Sequence, residues 1–473
     1  MHTRGGVFCL LSDISVVHLI SMNQYTPISK KEKFAYGFGN FGQNMLYSLM
    51  ANFLLFFYTD IFGILPAVAG TILLLARLWD AINDPLMGMV ADRTRTRWGK
   101  FRPYLLFTPI LFVPFAVASF SAPSLSMGGK IAWATITYIA FGMIYTASDV
   151  PFWALSSAIT NDTNERNSVV AYPRFSATIA VALATLATQP LIFLFSRAGK
   201  PASGYQMTAL VYSLLTVACF IGTFLFVKER VQPVKDEKSH FKDILPIFSS
   251  NKPLMLVIIS GFFTGIGQTA KLSMLIYYAK YNLGDEMLYT LFAGINIPFI
   301  LIGISTVPYF SRRFGKKATC IGYYAIYALG SLGFFFVGWK NFPLLLVFNC
   351  ISSLGMASPQ VIQTAMIADT IEYGELKTGK RTEGTIFSSQ TFLAKLTSAI
   401  TSVMIATSLA ALGYLPNVAQ PEQVLRGIHA LTAFIPFFSS ILGIIPIALY
   451  PLTESRHAQI VKELHERARG SSD

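Results

Sequence analysis

Residues 76–85 read Ala-Arg-Leu-Trp-Asp-Ala-Ile-Asn-Asp-Pro, which sets Asp80, Asn83 and Asp84 at i, i+3 and i+4. In a helix these three share one face. Two carboxylates and an amide oxygen within one turn repel each other in dry surroundings unless a cation or proton neutralises them. Such an oxygen-rich nest suits a hard cation. The competing reading is an internal pair, with Arg77 or an arginine of the following basic stretch as partner. A second stripe, Tyr145, Asp149 and Trp153, repeats every four residues, with Thr146 one turn from Asp149. A carboxylate accepts hydroxyl protons strongly, and an indole plane suits the C–H face of a sugar ring, so this stripe points to a saccharide. A packing or interfacial role for Trp153 is the alternative. Pro151 removes one backbone hydrogen bond beside the stripe and is a candidate kink.

Further charges stand alone in apolar sequence. Arg174 follows Pro173, and Lys395 comes four residues after Thr391. Each can donate to hydroxyls or neutralise Asp149. Lys271 is a candidate for snorkelling to an interface. Asp369, Glu372 and Glu375 cluster near Arg381 and Glu383. With the basic loops that carry Arg93 and Lys100, they read as an ion-pair gate rather than as a substrate site.

The elements that carry these residues are apolar helices. Hydrophobic residues make up 53% of the 473 and charged residues only 13%, against about a quarter charged in soluble proteins. The runs 34–62, 66–90, 104–122, 130–158, 170–196, 205–227, 254–281, 287–310, 318–338, 342–371, 384–413 and 427–451 predict twelve transmembrane helices. About 20 residues cross the ~30 Å hydrocarbon core. A charge placed there costs about 2.5–3.5 kcal/mol on insertion scales, so the few present are expected to serve function.

The net charge of +13 comes from short basic clusters between apolar runs, which argues against nucleic acid. Cys9, Cys219, Cys320 and Cys350 are scattered, without disulfide or metal spacing. No nucleophile–base pairing, metal motif or phosphate loop supports an enzyme. Gly37, Gly39 and Gly42 spell G-x-G-x-x-G, but a lysine-rich tail precedes them where a dinucleotide site needs a strand. Close helix packing through small residues explains them better.

Most of the basic residues fall on one set of helix ends, so the positive-inside bias predicts that both termini are cytoplasmic. The basic turns at 92–100 and 311–317 recur at the same place in two six-helix units. The expected organisation is an N-terminal tail, residues 1–33, a six-helix bundle, 34–227, and a cytoplasmic loop, 228–253. A second bundle, 254–451, and a cytoplasmic tail, 452–473, follow. Residues 1–21 read as a start-site extension or a tail, without a cleavable-signal pattern. Two parallel six-helix repeats with a site between them is the plan of the major facilitator fold.

Residues 77–85 and Arg97-Trp-Gly-Lys-Phe-Arg-Pro103 closely resemble the glycoside–pentoside–hexuronide:cation symporter family. The resemblance runs from about Phe34 to Leu452, through Asp149-Val-Pro-Phe-Trp153, Tyr172-Pro-Arg174, residues 368–375 and residues 413–420. It implies a symporter of the bacterial inner membrane that couples a sugar to sodium, with lithium or protons as substitutes. No other cofactor and no obligate protein partner is implied. The family's cation site maps onto Asp80, Asn83, Asp84 and Thr146. Its sugar site maps onto Tyr145, Asp149, Trp153, Arg174, Thr391 and Lys395. Two sugar-site positions depart: Asn44 replaces an aspartate of the first helix, and Gln360 replaces a tryptophan of the tenth. An amide at Asn44 still bonds hydroxyls but is a weaker acceptor than a carboxylate.

Overall fold

The computed structural model describes residues 28–160, 163–196, 201–230, 251–356, 358–378 and 383–470. These residues are helical almost throughout. Helices α1 (Lys30–Phe56), α2 (Pro66–Arg93), α3 (Arg102–Ser119), α4 (Met127–Ile159), α5 (Thr163–Phe195) and α6 (Pro201–Phe226) form a first group. A second group comprises α7 (Lys252–Tyr277), α8 (Leu288–Val337), α9 (Phe342–Met356), α10 (Ser358–Thr378), α11 (Glu383–Ala411) and α12 (Glu422–Ala448). Helix α13 (Glu454–Gly470) follows and packs on α10.

Local chemistry sets many of the boundaries. The Ser29 hydroxyl caps α1 by accepting from the Glu32 amide at 3.2 Å, and prolines open α2 and α6, where their missing N–H costs nothing. Helices α1 and α7 each end in a π-helical turn, Phe57–Ile61 and Tyr278–Asn282. Pro151 sits inside α4, which continues through it.

Among the described residues, nine helical runs are long and apolar enough to cross a membrane. Helices α1 and α2, which carry the polar face of Asn40–Asn44 and the charges Arg77, Asp80 and Asp84, are not among the nine. The expected spans 287–310 and 318–338 are two helices joined within α8 across a kink at Gly315 (φ 81°, ψ 160°). The basic turn between them kinks at this glycine, which adopts a backbone that L-residues avoid. The span expected at 342–371 is covered by α9 and α10, which lie on either side of residue 357, outside the described residues, and count as one membrane-length run.

Within the first group α1 packs against α5 and α6, α3 against α4 and α6, and α2 against α4. In the second, α7 packs against α11 and α12, and α8 against α9 and α12. The G-x-G-x-x-G glycines serve this packing. A Cβ at Gly42 would stand 2.8 Å from Thr216 Cα, and one at Gly37 would stand 2.8 Å from Ser176 Oγ. The two groups meet where α1 touches α7, α2 touches α11 and α5 touches α8.

The apolar core is continuous at one end and divided at the other. Leu46–Phe62 of the first group join Met274–Ala279, Tyr289 and Leu409 of the second in one cluster. Towards the basic turns there are two separate clusters. One contains Tyr36, Leu105, Phe152 and Phe220; the other contains Leu254, Val307, Tyr324 and Ile447. The molecule is therefore sealed at the end that carries Asp60 and parted at the end that carries the basic turns.

Candidate functional site

Where the core divides, a cavity of about 950 Å³ opens between the groups. Helix α1 contributes Asn40, Asn44 and Tyr47, α4 contributes Tyr145, Asp149 and Trp153, and α5 contributes Arg174. From the second group come Thr264 and Gln268 of α7, Gln360 and Gln363 of α10, and Lys395 of α11. Seven of the eight residues expected to contact sugar thus line one space. Thr391 belongs to α11, and its side chain lies outside the described residues.

Polar partners orient the first wall. The Gln43 amide donates to Asp149 Oδ1 at 3.2 Å. Asn44 turns along its own helix and donates to the Asn40 carbonyl at 2.9 Å. Tyr145 stacks beside Tyr47, with ring centroids 5.2 Å apart. The Arg174 guanidinium is exposed to the cavity, and no carboxylate pairs with it among the described residues. Its expected alternative role as counter-ion to Asp149 is not what this geometry displays.

The cation nest sits beside this wall, and both its carboxylates already carry internal counter-ions. Arg77 donates to Asp80 Oδ2 at 3.0 Å, so the internal pair applies to Asp80 in this state. Lys395 reaches from α11 and forms an ion pair with Asp84 Oδ2, so its ammonium lies on the cation nest rather than on Asp149. Thr146 donates to Asp84 Oδ1 at 2.7 Å, joining α4 to the nest. The Asn83 side-chain nitrogen is buried with no hydrogen-bond partner among the described residues. Gly142 makes room for Asp80: a Cβ there would stand 2.9 Å from Asp80 Oδ1. With Lys395 withdrawn, this set of two carboxylates, a hydroxyl and an amide is one positive charge short, which a monovalent cation can restore.

The residues expected at a gate fall less closely together. Asp369 pairs with Lys316 at 2.5 Å, and His457 of α13 lies 3.5 Å from Glu372. Both contacts stay within the second group. In the first group, Glu229 accepts from the amides of Lys100, Phe101 and Arg102 at 2.7–2.9 Å, and Arg93 is exposed. Arg381 and the Glu383 side chain lie outside the described residues.

Sequence reasoning missed the sealed end. Asp60, at the close of α1, is buried and pairs with Lys280 of the second group at 3.0 Å. Tyr414 donates to Asp60 Oδ2 at 2.6 Å, and the Tyr281 hydroxyl also reaches the carboxylate. Lys280 in turn holds Asn417 Oδ1 at 2.8 Å. Each charge stands at the end of an apolar run, where charges ordinarily meet headgroups, so neither draws notice alone.

Residues 35–454 match the model of the MFS/sugar transport protein family. The chain belongs to that family. An uncharacterized symporter of Bacillus subtilis, YnaJ, is 36% identical over 446 residues, covering 93% of this chain and 96% of the relative. The isoprimeverose transporter of Lactiplantibacillus pentosus is 32% identical over 442 residues, covering 90% and 92%. The fold is that of the crystal structure of a D-xylose–proton symporter, with TM-score 0.63 and 14% identity over 87% of this chain and 96% of that one. The protein is accordingly a multi-pass membrane transporter of the MFS/sugar class, not an enzyme, and small-molecule sugars are the substrates its family implies.

Proposed function

We propose that this protein carries a glycoside, pentoside or hexuronide together with sodium by alternating access. Lithium or protons are possible substitutes for the ion. In this reading twelve spans form two six-helix bundles, residues 34–227 and 254–451, in a bacterial inner membrane with both termini cytoplasmic. The length of α8, at 50 residues, supports two spans there, because about 20 residues cross a bilayer. The divided core then faces the cytoplasm, and Arg93, Lys100, Asp369, Glu372, Arg381 and Glu383 gate that end when it closes.

One observation carries the reading: Lys395 lines the same cavity as Asp149 and Trp153 and pairs across the groups with Asp84, which Thr146 joins to α4. A sodium ion entering the nest takes over the single charge of Lys395 at Asp84, while Arg77 stays on Asp80. Lys395 is then free for a substrate hydroxyl, while Asp149 and Trp153 receive the sugar. Because Thr146 and Asp149 lie on one helix, ion and sugar act on the same element.

The test is accumulation of labelled isoprimeverose, methyl β-xyloside and methyl β-glucuronide by cells, with and without sodium at fixed pH. At least one should accumulate in a sodium-stimulated manner, and Asp80→Cys should abolish that stimulation. Sodium dependence that survives Asp80→Cys refutes the cation assignment. Uptake that follows pH and ignores sodium favours proton coupling. Binding without counterflow in reconstituted vesicles favours a sugar sensor.

A further inference from the structure

The α10 wall of the cavity holds an amide whose direction is fixed from behind. Gln363 is 4% exposed and lines the cavity beside Thr264 and Gly261. Its side-chain nitrogen donates to Ser260 Oγ and to the Tyr324 hydroxyl, both at 2.8 Å. Two backbone carbonyls set the sense of this network, because a carbonyl can only accept. Ser260 Oγ donates to the Gly443 carbonyl at 2.8 Å, and Thr264 Oγ1 donates to the Ser260 carbonyl at 2.9 Å. The Tyr324 hydroxyl then donates to Thr264 Oγ1. Every hydroxyl proton is engaged, so both hydroxyls that face Gln363 offer lone pairs to its N–H groups.

The remaining polar atom of Gln363 is Oε1. It stands beside Gly261, where a Cβ would lie 3.6 Å away in ordinary contact. An acceptor whose donors are tied down cannot rotate to suit an anion. We propose that Gln363 is a specificity-determining residue whose Oε1 accepts a hydrogen bond from a substrate hydroxyl, so that the α10 wall selects a hydroxyl-bearing edge over an anionic one. This deepens the sugar-symport reading and rests on it. A uronate carboxylate would be turned away from this wall, towards the exposed Arg174 guanidinium of α5.

The test uses the full-length protein and whichever of isoprimeverose, methyl β-xyloside and methyl β-glucuronide the wild type accumulates best, with the monodeoxy analogues of that sugar. In the wild type, one monodeoxy analogue should lose roughly three- to tenfold in apparent affinity, the usual net worth of a neutral hydrogen bond. In Gln363→Met the parent sugar should lose the same factor, and that analogue should lose nothing further. Gly261→Ala leaves the amide network intact and sets a methyl group against Oε1. It should diminish the same hydroxyl preference, and it decides the matter if Gln363→Met fails to fold. A hydroxyl penalty that survives whichever variant folds overturns the inference while leaving symport standing. Wild-type protein that accumulates none of the three sugars overturns both.

Discussion

Asp80 and Asp84 sit four residues apart on one face, and the structure answers their mutual repulsion with two side-chain cations, Arg77 and Lys395. Removing one partner of such a buried pair costs about 3–5 kcal/mol, because the other charge is left uncompensated. An ion that replaces Lys395 therefore has to bring comparable attraction, which requires the carboxylates to be held in register. Gly142 is the residue that permits this. Its absent Cβ leaves space at 2.9 Å from Asp80 Oδ1, and overfilling a packed site costs typically 1–3 kcal/mol. Gly142→Ala should therefore raise the sodium concentration for half-maximal uptake roughly tenfold. Gly222→Ala, where a Cβ meets nothing within 4 Å, should leave it unchanged. Equal sodium curves for the two variants would remove Gly142 from the account. The triplet Asp80, Asn83 and Asp84 was legible in sequence because helical periodicity alone puts it on one face. Gly142 was not, since a glycine in a membrane helix carries no sign of what approaches it.

At the scale of elements, the ends of α1 and α7 are fastened by Asp60, Lys280, Tyr281 and Tyr414. A carboxylate that accepts from an ammonium and two phenols holds the sealed end more firmly than apolar packing alone. Lys280→Ala leaves Asp60 buried without its cation and should destabilise the sealed conformation by about 3 kcal/mol or more. On the order of a hundredfold more molecules would then open at that end. The measurement is the rate at which a membrane-impermeant maleimide, applied to intact cells, labels a cysteine introduced at Asn44 in a background free of native cysteines. An unchanged rate in Lys280→Ala would mean that the ion pair does not hold the seal. The apolar periodicity of these helices was evident from composition, but their fastening was not. Asp60 and Lys280 are 220 residues apart, and Asp84 and Lys395 are 311 apart. Only the packing of one group on the other reveals such partners, and no local pattern encodes it.

For the whole molecule, the decisive feature is that side chains of both groups line one cavity. Asp84 belongs to the first group and its present cation, Lys395, to the second. Asp149 and Gln363 face the same space from opposite groups. Displacing Lys395 by a mobile ion thus changes both the charge within the cavity and a contact that ties the groups together. On the proposed reading, sugar at Asp149 acts on the nest through α4, where Thr146 donates to Asp84 at 2.7 Å. A coupling of this kind is reciprocal: if sodium raises sugar affinity by some factor, sugar must raise sodium affinity by the same factor. Couplings of 1–3 kcal/mol are typical, so the expected factor is roughly 5–150. Titrations of purified protein, sugar at several sodium concentrations and sodium at several sugar concentrations, measure both sides of that equality. Thr146→Val, which keeps the shape of the side chain but removes its hydroxyl, should weaken sodium binding and bring both factors towards one. Sugar binding in the absence of sodium should stay near the wild-type value. If both factors persist in Thr146→Val, coupling runs between the groups through Lys395 rather than along α4, and Lys395→Ala becomes the variant that uncouples ion from sugar.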